Sequence, residues 1–147
     1  MAGRADDVPT PSLRQSWRTV AVAGLLAAGF DIAFALVFYG SAFTLSGWTV
    51  ALGAALHFFI ALCAAFIYWG ASRRLSVLTR RPLVSGAAFG VAMYVAMHFI
   101  VLPLSRVHFR LPSLHNVLGE LFSHIVLFGM VIALGVARTA PRDAGRW

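Results

Sequence analysis

The sequence predicts an all-α integral membrane protein, a four-helix bundle with antiparallel neighbours, and three observations lead there. Of its 147 residues 60% are hydrophobic and the mean hydropathy is +0.82, too apolar for an ordinary soluble domain. Four apolar runs each reach the ~20 residues needed to cross ~30 Å of hydrocarbon at ~1.5 Å per residue. Only 12% of the residues are charged, and all 12 basic residues are arginines confined to the tails and connections.

Residues 1–18 are polar, rich in proline and arginine and free of hydrophobic periodicity, so a disordered cytoplasmic tail is expected there. A membrane domain over 19–138 follows, with spans at about 20–40, 49–69, 83–104 and 114–137, and then a second cytoplasmic tail at 139–147. The first run exceeds the ~7–15 residues of a signal-peptide core and no small-x-small cleavage site follows it, so it reads as a retained anchor. Pro82 precedes the third run, where a missing N–H costs nothing, and Pro103 lies near its end. Lipid offers no partner for backbone N–H and C=O groups, so every span must be helical. Trp17, Tyr39, Trp48, Tyr68 and Trp69 fall at the borders, where amphipathic rings settle.

Arginine placement predicts orientation, because short flanking segments carry the positive-inside signal. Arg4, Arg14 and Arg18 precede the first span, Arg73, Arg74, Arg80 and Arg81 separate the second from the third, and Arg138, Arg142 and Arg146 follow the fourth. Only Arg106 and Arg110 lie on the other side. Both termini are therefore expected in the cytoplasm. The expected surroundings are a lipid bilayer, with a second copy or another membrane protein as candidate partner. Nucleic-acid binding would need arginines on a soluble face interleaved with stacking aromatics, which this sequence lacks.

Inside lipid, helices associate through close backbone approach and interhelical hydrogen bonds. Small residues spaced four apart occur in every span: Gly24 and Ala28, Ala61 and Ala65, Gly86 and Gly90, Gly119 and Ser123, Gly129 and Ala133. The single Cys63 sits within an apolar run, where it reads as a small buried hydrophobe and leaves no CxxC motif. Signatures of soluble enzymes such as GxSxG, HExxH or a phosphate-binding glycine loop are missing, and no catalytic residue is assigned.

Five ionisable residues lie well inside the spans: Asp31, His57, His98, Glu120 and His124. At ~1.5 Å per residue, Glu120 and His98 lie about 5–8 Å from the outer border, His124 and His57 about 10–12 Å, and Asp31 about 13 Å. All five occupy the half remote from the arginines. Glu120 and His124, four residues apart, share a helix face. Asp31 shares its face with Gly24, Ala27, Ala28 and Ala35, and His57 is its expected partner. An ionised carboxylate near the bilayer centre costs at least ~2.5 kcal/mol, so Asp31 should be protonated, paired or hydrated.

Three readings of this cluster stand open. It can be interhelical glue in a scaffold or accessory subunit. It can be a metal or haem site using His57, His98, Glu120 and His124, with Asp31 as a further donor. It can be a proton or solute pathway opening to the outside. His108 and His115 lie in the outer connection, where a solvated loop is expected.

The runs LHFFIALCAAFIYWGASRR (56–74) and YVAMHFIVLPLSR (94–106) resemble small uncharacterised bacterial inner-membrane proteins, loosely YagU-like. The resemblance covers most of the four spans. It implies a multi-span protein of a bacterial inner membrane with a proposed link to acid stress, and it supplies no active residues.

Overall fold

A computed structural model describes residues 11–39, 48–104 and 113–140. Helices α1 (Leu13–Tyr39) and α2 (Trp48–Ser72) precede a one-turn helix, α3 (Val77–Arg80). Next come α4 (Pro82–Ala96), a π-helical stretch Met97–Val101 and the short α5 (Leu102–Leu104), which run on as one third span. The fourth span is likewise composite: α6 (Leu114–Phe122), a π-helical stretch Ser123–Met130 and α7 (Val131–Ala137). Leu13–Phe38, Val50–Ser72, Pro82–Leu104 and Leu114–Ala137 are each long and apolar enough to cross a membrane. By length and composition these are the helices of a multi-pass membrane protein, and no strand occurs among the described residues.

Helix α1 starts at Leu13, so residues 13–18, expected in the N-terminal tail, form its first turns. The cause is local. Ser12 caps the helix: its Oγ accepts from the Gln15 N–H at 3.2 Å and its carbonyl from the Ser16 N–H at 2.9 Å. These contacts satisfy N–H groups that a bare helix end would orphan. Ser113 does the same for α6, accepting from the Asn116 N–H at 3.3 Å.

The distribution of residue sizes is inverted relative to a soluble bundle. Buried positions are mostly small, including Ala27, Ala28, Ala61, Ala65 and Ala133, while Val37, Phe99 and Leu104 are 87%, 75% and 78% exposed. Contiguous apolar exteriors of this kind are untenable in water and natural in lipid. Cys63 belongs to that exterior: it is exposed, not buried as expected, because α2 turns Ala61, Ala64 and Ala65 inward instead.

The third and fourth spans pack along their length, as do α1 and α2, and α1 against the fourth span closes the bundle. Glycines decide the tightest contact. A Cβ on Gly90 would strike the His124 carbonyl, and one on Gly129 would strike the Gly86 carbonyl. At the α1–α2 contact a Cβ on Gly24 would lie 3.0 Å from that of Ala65.

The second and third spans meet at the arginine-rich end. There the Tyr68 ring lies 4.9 Å from that of Phe89, and its hydroxyl sits 2.8 Å from Ser85 Oγ and 3.1 Å from the Leu78 carbonyl. Tyr68 is thus a buried clamp between α2, α3 and α4, its ring turned inward near the end of α2. Tyr39 has no described side chain, whereas Trp48 is exposed at its border and Trp17 partly so.

Replacing Gly129 with Leu forces apart the third and fourth spans and is expected to destabilise by about 1–3 kcal/mol or more. Gly53→Leu, whose added side chain starts with nothing within 4 Å, should shift stability by less than about 0.5 kcal/mol. Thermal unfolding of both variants in one detergent checks the contrast.

Candidate functional site

Antiparallel packing brings the polar residues to two adjacent levels at the end remote from Arg73, Arg74, Arg80 and Arg81, which are all exposed. Asp31 precedes the end of α1 by eight residues, while His57 and Ser123 each follow the start of their helix by nine. His98 and Glu120 are six residues from the corresponding ends of their spans. At ~1.5 Å per residue these levels lie about 12–14 Å and about 9 Å deep.

At the deeper level Asp31 is buried, and His57 and the fourth span converge on it. The Ser123 hydroxyl donates to Asp31 Oδ1. His57 Nε2 lies 3.6 Å from Asp31 Oδ2 and 3.3 Å from the Ala28 carbonyl, to which it donates. Beside them is a cavity of about 10 Å³ lined by Asp31, His57 and His124 together with Met93, Met97 and Phe128. That volume admits about one water, and three polar side chains give such a water its usual number of partners.

At the shallower level the Glu120 carboxylate meets His98, with 2.9 Å between Oε2 and Nε2. The approach is close but poorly directed, so Oε2 is buried without a hydrogen-bond partner of good geometry among the described residues. His98 Nδ1 lies 3.1 Å from the Tyr94 carbonyl. A carbonyl only accepts, so Nδ1 carries a proton and Nε2 of the neutral ring presents a lone pair to Glu120. A carboxyl oxygen and an imidazole nitrogen this close are a pair between which a proton can be shared.

His124 links the levels. Its Nδ1 donates to the Glu120 carbonyl at 2.9 Å, leaving Nε2 as an acceptor when the ring is neutral. The Tyr94 ring lies 4.2 Å from that of His98 and 5.8 Å from that of His124. Below Asp31, towards the arginines, the interior is closed by Ala28, Phe128, Ile132 and Ala133, all buried.

Both π-helical stretches coincide with this site. One begins at Met97, beside His98, and the other at Ser123, beside His124. Wide turns of this type are uncommon and frequently accompany functional sites.

The pairing of Asp31 with His57 is as the sequence predicts. The four candidate metal or haem ligands His57, His98, Glu120 and His124 do not form one centre. His98 and Glu120 engage each other, His57 turns to α1, and one nitrogen of His124 is tied to its own helix. Among the described residues no three His, Cys, Asp or Glu side chains could hold a metal ion together. His115 is exposed and stacks on Phe38 with 4.9 Å between ring centroids. His108, Arg106 and Arg110 lie outside the described residues. Ser123 and Tyr94 went unrecognised as site residues, although Glu120, Ser123 and His124 at i, i+3 and i+4 mark one polar face.

Comparison with known protein families, characterised proteins and solved structures finds no match for this chain.

A double-mutant cycle on His98→Ala and Glu120→Ala should give a coupling of about 0.6 kcal/mol and no more than about 1.7 kcal/mol, the average and the maximum for polar contacts between membrane helices. Glu120→Gln should keep most of it, because an amide N–H can donate to the His98 lone pair without an added proton. Unfolding in detergent measures all four stabilities, and a coupling near zero would remove the pair.

Proposed function

We propose that this chain is a small accessory protein of a bacterial inner membrane that binds protons at a one-ended site in the non-cytoplasmic half of the bilayer. The supporting observation is the Glu120–His98 contact, a carboxyl oxygen and an imidazole nitrogen 2.9 Å apart within the membrane-spanning helices. His124 and the water-sized cavity connect that contact to Asp31 and His57. Carboxylates and imidazoles arranged in depth order are the parts of a membrane proton relay. The apolar packing below Asp31 makes this relay a store or sensor in place of a through-going channel. A cavity of about 10 Å³ suits water and protons, not a larger solute. The arginine distribution supports cytoplasmic termini. The hydrophobic likeness to the YagU-like group supports an inner-membrane setting and supplies nothing on the chemistry.

A second reading, a scaffold whose polar contacts only hold helices together, draws on the Ser123–Asp31 contact joining α1 to the fourth span. Against it, glycine and alanine already bring the spans into contact without help from the polar cluster.

Infrared difference spectra recorded on acidifying reconstituted protein separate the two. Proton binding should give a protonated-carboxyl band that weakens in Asp31→Asn and in Glu120→Gln, while a band of unchanged size in both variants leaves only the scaffold. Proteoliposomes should pass protons no faster than protein-free vesicles, and faster flux would mean an open pathway. Reporter fusions placed in 41–48 and after residue 140 should report the non-cytoplasmic and cytoplasmic sides respectively.

A further inference from the structure

At the arginine-rich end, α1 and α7 enclose a groove of about 300 Å³ that the proton site does not use. The helices touch at its floor, where a Cβ on Gly135 would strike that of Ala23. Val22, Leu26 and Val131 make its apolar walls, and Arg18 and Arg138 stand at its rim. Both arginines are exposed. The only carboxylates among the described residues, Asp31 and Glu120, belong to the opposite end, so among the described residues neither guanidinium has an acidic partner. Arg18 lies 5.7 Å from the centroid of the Trp17 ring, an aromatic suited to the headgroup level of a bilayer.

We propose that this groove binds one anionic phospholipid, its phosphate between Arg18 and Arg138 and an acyl chain along Val22, Leu26 and Val131. Charge and shape together select that occupant. The guanidinium forks match phosphate oxygens. Basic pockets between helices on the cytoplasmic side are where anionic headgroups are held. The apolar walls would leave a free inorganic anion half its contacts unmade, and a second copy of this chain would bring its own arginines to the same rim.

The test uses the full chain in a neutral detergent, titrated with phosphatidylglycerol or phosphatidylcholine of identical chains and followed by native mass spectrometry. A single retained phosphatidylglycerol, bound on the order of tenfold less tightly by Arg18→Gln/Arg138→Gln, is the expected result. Val22→Trp, which narrows the groove, should weaken retention of both lipids. Both variants alter exposed positions, and unchanged helicity and lipid-free unfolding midpoints verify that they fold. Arg73→Gln/Arg74→Gln removes equal charge from the same end, and an equal loss there would assign the effect to general surface charge and overturn the site. Equal retention of the two lipids, a dimer carrying no lipid, or stabilisation by inorganic phosphate matching that by phosphatidylglycerol would each overturn it as well.

Discussion

Everything in this molecule depends on how closely the third and fourth spans approach. Lipid tails are as apolar as leucine, so burying large side chains between helices gains little, and association comes from dispersion between backbones brought near. Gly86, Gly90 and Gly129 permit that approach because nothing projects from them. The polar site is downstream of the same contact. A wider separation between these spans would pull Glu120 from His98, and one between α1 and the fourth span would pull Ser123 from Asp31.

Close packing also sets the electrical conditions. Asp31 is buried among apolar neighbours, with Ser123 and His57 as the groups that replace its lost water. Such replacement is needed because an unpaired polar group in hydrocarbon costs several kcal/mol. The π-helical turns complement this arrangement. Inserting extra residues per turn beside His98 and at Ser123 shifts side chains around the helix axis, an adjustment a regular helix cannot make locally.

Much of the architecture was legible because lipid imposes a length rule: 83–104 and 114–137 compare closely with Pro82–Leu104 and Leu114–Ala137. The small-residue pairs were legible as well, since spacing by four puts both members on one face. Less visible was the start of α1. The capping spacing Ser12-x-x-Gln15 was present, but hydropathy does not register a cap. Rotation about the helix axis was harder still. In a helix apolar all round, periodicity cannot say that Cys63 faces out and Tyr68 in, and only the neighbour's small residues decide it. Of the polar pairs, His57 with Asp31 was legible from their matching positions along neighbouring helices, but His98 with Glu120 was not, because that partnership is a choice made by azimuth. The wide turns at Met97–Val101 and Ser123–Met130 alter that azimuth, and no residue pattern announced them.

The inverted arrangement of large and small side chains separates two tasks that a soluble protein combines in one set of residues. Fit between helices is specified by alanine and glycine, and compatibility with the solvent by Val37, Phe99, Leu104 and their outward neighbours. Exchanging leucine, isoleucine, valine and phenylalanine freely among the outward positions therefore leaves the bundle's identity intact. Two descendants of this chain could diverge across most of their exteriors while keeping the same skeleton, so kinship would be sought along the thin inner seam.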